Sequence, residues 1–298
     1  MSTVNVAVPR KGRPLEAVLD RMATAAGVAG VADDIVSTLR YEKAVAKESQ
    51  EATGDVYERL ATYSDLSDPT APEYTLVRDE RDGVPRRIVF DSVTVPLSEG
   101  IDVRLVGREE PFRALRKHEV PLGFDSADLV LEEVVELRDD PLTELADVNE
   151  RIDPHDTDVR VGGGLGDTVW HTLLATPGTT AEYDADLDRS LVAAHEGTLC
   201  ISPRYERLVE ATLGTGTLDG IEFTYPAEGQ SEEAAIAETG LGVYLTVTGS
   251  TARDHGLSVG ERLFPSETVL LENASEMTDD ARRVSDVLTR EQAAELTA

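Results

Sequence analysis

The feature that most limits the fold is a recurring unit: a short apolar run, a tight turn, then a segment with helical spacing. Val4-Asn5-Val6-Ala7-Val8 reads as a buried strand and Pro9-Arg10-Lys11-Gly12-Arg13 as a basic turn. Pro14 suits the first turn of a helix, Leu15, Val18, Leu19 and Met22 recur at helical spacing, and Gly27 closes the segment. The unit returns with strands at 101–106 and 120–124, each followed by a helical stretch at 110–117 and 127–133. It returns again beyond residue 168, with strands at 169–175, 198–202 and 221–225 and helices at 203–213 and 232–238. Alternation of this kind builds α/β layers.

Three segments interrupt the alternation. Residues 33–63 are helical in pattern but weakly apolar, and 74–95 read as a hairpin turning near Asp82-Gly83. Together, residues 33–95 look like an insertion decorating the first lobe. Residues 138–160 are acidic and contain two prolines, which predicts an irregular connection. Gly162-Gly163-Gly164-Leu165-Gly166 places four glycines in five positions, poor material for helix or strand, and predicts a hinge. Final strands are expected around Leu263 and 268–271, and an amphipathic helix over 277–296. The expected fold is therefore α/β and two-lobed with a central cleft. Lobe I holds residues 1–167 and 257–298, and lobe II holds 168–256. A ligand would sit in the cleft, at the carboxyl ends of strands.

Charge narrows the function classes. Asp and Glu number 58 against 28 Lys and Arg, a net charge of −30, and only Lys11, Lys43, Lys47 and Lys117 are lysines. Self-repulsion on that scale is severe at low salt and screened at molar salt, so the chain looks adapted to a salt-saturated cytoplasm. No basic cluster offsets the acidic field, which argues against nucleic acid as a partner. Cys200 stands alone, excluding an intrachain disulfide and favouring a reducing cytosol. No 18-residue apolar run is present, so no membrane span is expected, and the opening lacks a signal-peptide pattern. A cytoplasmic protein follows as the expectation.

The stretch Val243–Leu257 carries the clearest chemistry. An apolar run ends in Thr248-Gly249-Ser250-Thr251, and a polar helix-compatible segment follows. Strand, hydroxyl-rich turn and helix start is how a protein cradles a phosphate: backbone N–H groups and hydroxyls converge, and a glycine lets the backbone approach. An ordinary ligand-free turn has the same pattern. Arg10, Lys11 and Arg13 put three cations in four positions, a local anion trap in an acidic chain or else a solvated basic turn. The five histidines show no metal-ligand spacing with one another or with Cys200. His171 beside Trp170 reads as structural, and His255 as a helix-surface residue beside the turn.

Three separated segments together resemble the catalytic core of ATP phosphoribosyltransferase, the enzyme that opens histidine biosynthesis. They are Val6–Arg13 (VAVPRKGR), Pro111–Glu133 with its Pro121-Leu122-Gly123-Phe124 and Asp128-Leu129, and Ser231–Leu257 with Thr248-Gly249-Ser250-Thr251-Ala252-Arg253 and Gly256-Leu257. The resemblance implies a two-lobed fold like the type II periplasmic binding proteins. It also implies transfer of a phosphoribosyl group from phosphoribosyl pyrophosphate to N1 of ATP, with release of pyrophosphate and with Mg2+. By position, Thr248, Gly249, Ser250 and Thr251 would hold the sugar 5′-phosphate. Lys11 and Arg13 would meet the pyrophosphate or triphosphate oxygens, Glu232 would contact ribose or magnesium, and Arg253 belongs to the matching loop. The family's habit also makes a homo-oligomer plausible. No allosteric C-terminal domain is expected, since 25 residues follow Asn273. The chain departs from the family at three places. Gly240 and Tyr244 stand where the family carries two acids, Pro121 stands where it has an aspartate before Leu-Gly, and His171 stands in place of an arginine. These departures support an alternative: a non-catalytic binding or regulatory module for a phosphorylated small molecule.

Overall fold

The computed structural model describes residues 2–65, 67–68, 70–78, 86–98, 100–183 and 185–289. They form two compact units: Met1–Asp125 with Asp158–Leu165 and Thr268–Ala298, and Ser126–Thr157 with Gly166–Glu267. The first unit runs β1 (Ser2–Pro9), α1 (Gly12–Ala26), α2 (Ala29–Ala46), α3 (Val56–Tyr63), β2 (Glu73–Arg78), β3 (Arg86–Ser98), β4 (Ile101–Arg108), α4 (Pro111–Arg116) and β5 (Leu122–Ser126). After α5 (Ala127–Glu133) and a 3-10 turn in the second unit, the chain returns to the first for β6 (Val159–Gly164). The second unit then continues with β7 (Val169–Ala175), α6 (Pro177–Tyr183), α7 (Arg189–Ala194), β8 (Gly197–Cys200), α8 (Glu206–Leu213), β9 (Ile221–Thr224), α9 (Glu232–Thr239), β10 (Leu241–Thr246), α10 (Ser250–Asp254) and β11 (Ser258–Ser266). The first unit closes with β12 (Thr268–Asn273) and α11 (Asp279–Thr289).

Each unit has its own sheet, in the orders β2-β3-β4-β1-β5-β12-β6 and β11-β7-β10-β8-β9. β1 runs parallel to β4 and β5, and β8 runs parallel to β9 and β10. β12 is antiparallel to β6, and β7 is antiparallel to β10 and β11. The two sheets thus share a core plan, a parallel trio with its first strand in the middle and an antiparallel pair on one side, and the first sheet adds the antiparallel β3 and β2 on the other. The fold is the expected α/β, two-lobed class. Parallel pairing explains the apolar runs that marked the strands, because helices cover such strands and little alternation survives. In the first unit, Leu15, Val18, Leu19 and Met22 of α1 and Ala281, Val284 and Leu288 of α11 pack with Val6, Val8, Leu105 and Phe124 of the sheet.

Four expectations need correction. Residues 126–157 belong to the second unit, because α8 holds them there. The Leu208 N–H donates to the Glu132 carboxylate at 2.7 Å, Arg207 donates to the Val135 carbonyl at 2.6 Å, and the Leu142 N–H donates to the Ala211 carbonyl at 2.9 Å. Residues 257–267 also belong to the second unit, because β11 pairs with β7. Arg189 secures it through the Glu261 carboxylate and, at 2.8 Å, the Leu263 carbonyl. The glycines at 162–164 lie within β6, whose ladder to β12 overrides their weak strand preference. The crossing between units still falls inside the predicted stretch, at Leu165 and Gly166, where Gly166 takes φ +76°.

The fourth correction concerns the insertion, which is part of the first unit's core rather than a decoration. β3 lies inside the sheet, and Phe90, Val93 and Val95 join the main cluster. Its weakly apolar helices are joined by polar contacts. Arg59 grips Glu42 at 2.7 and 3.0 Å, Tyr63 donates to the same carboxylate at 2.9 Å, and Arg59 also reaches the Gly54 carbonyl at 3.0 Å. A buried pair with all of these partners fixes one docking of α3 on α2 more than it adds net stability. The expected turn at Asp82-Gly83 and the end of the terminal helix beyond Thr289 lie outside the described residues.

Candidate functional site

In the second unit β8, β9 and β10 are parallel, so their carboxyl ends and the segments that follow share one edge. Three candidate regions arrive there: Ser202–Tyr205 after β8, Ser231-Glu232 before α9, and Thr248–Thr251 after β10. In the last of these, Gly249 adopts φ +70° and ψ 18°, the left-handed region, and starts α10 with no side chain capping it. A Cβ at this position would lie 2.7 Å from Val259 Cγ2, so glycine is required by both backbone and packing. Ala252 and Leu257 anchor the turn in a cluster with Leu174, Cys200 and Ile236. Thr248, Ser250 and Thr251 are exposed. The Ser250 N–H donates to Thr248 Oγ1 at 3.4 Å, and the Thr248 hydroxyl donates to Ser250 Oγ at 3.2 Å. Arg253 donates to the Thr248 carbonyl at 2.9 Å and thereby braces the loop. His255 donates from Nδ1 to the Thr251 carbonyl at 2.9 Å, a helix-surface role.

Glu232 sits in the first turn of α9, where the Ser231 hydroxyl accepts the Ala234 N–H at 3.3 Å. Burial, followed by the charges of Glu232 and Glu233, pushes the Tyr244 phenol pKa up. Gly240 stands at the other acid position and cannot be replaced by one. It takes φ +102°, and a Cβ there would meet Thr179 Oγ1 at 2.9 Å.

Two features were not legible from local sequence. Tyr205 lies under the Arg204 guanidinium, 5.0 Å from ring centroid to Cζ. Burial pushes its phenol up to about 12, helped by the charges of Asp128, Tyr244 and Glu132 and opposed by Arg204. The second feature is a buried polar centre. Asp128 accepts from Ser266 Oγ at 2.9 Å and lies 3.1 Å from His171 Nε2, whose ring meets Tyr205 edge-on at 4.9 Å. His171 thus occupies the family's arginine position as a partner of Asp128, a link across 43 residues that no spacing rule reveals.

Lys11 and Arg13 belong to the first unit, at the carboxyl end of β1. Lys11 is the N-cap residue of α1, and both side chains are exposed. Arg10 is committed to local structure, donating to the Gly107 carbonyl at 3.2 Å and lying 3.7 Å from Asp91. Cys200 is buried, its thiol pKa pushed up by that burial, so it is an inert core residue. Among the described residues no three His, Cys, Asp or Glu side chains are placed to hold a metal ion. The donor set does not fit a protein-built magnesium cage, which would need several oxygen ligands. No helix among the described residues is long and apolar enough to cross a membrane.

The whole chain, residues 1–298, matches the family described as halobacterial ATP phosphoribosyltransferase (HisG_halo). The chain belongs to that family. Similar solved structures include the ATP phosphoribosyl transferase (HisG:HisZ) complex from Thermotoga maritima, at 14% identity and a TM-score of 0.43, covering 97% of each chain. YhfZ from Shigella flexneri is similar at 10% identity and a TM-score of 0.43, covering 100% of this chain and 91% of that one. A reduced form of OxyR from N. meningitidis is similar at 7% identity and a TM-score of 0.34, covering 98% and 96%. No curated protein matches the chain.

Proposed function

We propose that the chain catalyses the reaction of its family, in the cytoplasm of a salt-adapted cell, as the first step of histidine biosynthesis. N1 of ATP attacks C1 of phosphoribosyl pyrophosphate, the new C–N bond forms as the C1–O bond breaks, and pyrophosphate departs with the bonding electron pair. The match to the family along the entire chain carries this proposal. The exposed hydroxyls around the left-handed Gly249 support the assignment of Thr248, Gly249, Ser250 and Thr251 to the sugar 5′-phosphate. Lys11 and Arg13 are assigned to diphosphate oxygens, where fixed positive charge favours a leaving group that gains negative charge. Glu232, in the first turn of α9, is assigned to the ribose hydroxyls. Magnesium enters only as a counter-ion brought in on the substrates' phosphates. Self-association into a homo-oligomer is part of the same proposal.

A second possibility is a module that binds a phosphorylated small molecule without turnover. It is favoured by Gly240, whose backbone and packing exclude an acid, and by a tyrosine at 244. Incubation with ATP, phosphoribosyl pyrophosphate and magnesium in molar KCl separates the two. Pyrophosphate release supports the transferase, and calorimetric binding without release supports the module.

A further inference from the structure

Within the first unit, α1, α2 and β3 enclose a pocket of about 180 Å³. Its floor is apolar, with Leu15 and Ile88 no more than 1% exposed. Its rim is basic, with Lys11 from the opening turn, Arg40 and Lys43 from α2, and Arg87 from β3. Arg40 is paired at 2.7 Å with Glu16, which also lines the pocket. That leaves the charges of Lys11, Lys43 and Arg87 around one concavity in a chain of net charge −30. Two of the four lysines in the sequence are gathered here. The N-terminus of α1 opens on the same pocket through Gly12, with no acidic residue in its first turn and no side-chain cap. Its dipole adds to the positive field. Cations around a concave site with low-dielectric walls focus that field.

We propose that this pocket binds the phosphate or diphosphate head of a small organic phosphate, at a site built by the 33–95 insertion. The volume lies below the roughly 300–1,000 Å³ typical of a site enclosing an entire ligand, so a head group fits and the body projects outward. Lys43 and Arg87 have no part in the transfer site proposed above, and only Lys11 is common to both.

The four lysines make a site-resolved test possible. The full chain is acetylated at its amines in molar KCl, with and without inorganic pyrophosphate, and each lysine is followed by mass spectrometry. Pyrophosphate is expected to slow modification of Lys11 and Lys43 several-fold while Lys47 and Lys117 react as before. Arg87→Gln is expected to reduce the protection of Lys43. An unprotected Lys43 overturns the proposal. Protection of Lys11 alone also overturns it, and leaves the role of Lys11 in transfer intact. Equal protection of all four lysines reports a general salt effect and overturns it as well.

Discussion

Gly249→Ala tests whether the loop geometry rests on backbone conformation, on packing, or on both. An L-residue at φ +70° costs about 1–2 kcal/mol against the right-handed region. The added methyl would also lie 2.7 Å from Val259 Cγ2 and 3.4 Å from Cγ1. Overpacking of this kind costs about 1–3 kcal/mol. The sum is on the order of 2–5 kcal/mol. Removing the obstacle with Val259→Ala leaves the backbone cost alone, so Gly249→Ala should then cost about 1–2 kcal/mol. The coupling between the two changes is therefore about 1–3 kcal/mol and is read from a double-mutant cycle. Urea unfolding in molar KCl measures all four proteins, since urea leaves ionic strength unchanged. With slopes of about 1–3 kcal/mol per molar urea, the single variant should unfold at a midpoint lower by roughly 1 M or more. A cost below about 0.5 kcal/mol, or one that is the same in both backgrounds, would refute the reasoning.

Asp128→Ala strips partners from His171 and Ser266, both buried, and should cost about 2–5 kcal/mol by urea unfolding, with Asp128→Asn costing less. Tyr205 ionises near 12, above the ordinary 10, so it favours the folded state below pH 10, and this contribution is lost as pH rises toward 12. Phenolate absorbance against pH should show a late phase that shrinks in Tyr205→Phe; an unchanged late phase would place that tyrosine in an ordinary environment. At a net charge of −30, thermal midpoints should fall as KCl is lowered from molar to tens of millimolar, and a salt-independent midpoint would count against adaptation to salt.

Much of the fold was legible because strand and helix periodicities are local. The closing of α1 at Gly27, a positive-φ glycine, follows from the chain. Apart from the crossing at Leu165 and Gly166, inside the glycine run, the unit boundaries were not legible, since they depend on contacts such as Leu142 to Ala211 and Arg189 to Glu261, which join distant segments. The glycines of β6 misled for the same reason: propensity is local, whereas the ladder to β12 is not. At the site, the Thr248–Thr251 pattern identified the turn, and its alternation of exposed hydroxyls with buried Ala252 and Leu257 is written in the sequence. The loss of an acid at 244 was also legible, but the charges of Glu232 and Glu233 acting on Tyr244 were not, because they relate β10 to α9.

Pyrophosphate release by the wild-type chain and by Thr251→Ala, measured in molar KCl with ATP, phosphoribosyl pyrophosphate and magnesium, tests the central claim most directly. The account predicts turnover by the wild type, and an apparent affinity for phosphoribosyl pyrophosphate weakened in the variant by roughly 1–2 kcal/mol, about five- to thirtyfold. No release by a folded wild-type protein, or an identical affinity in the variant, would contradict it.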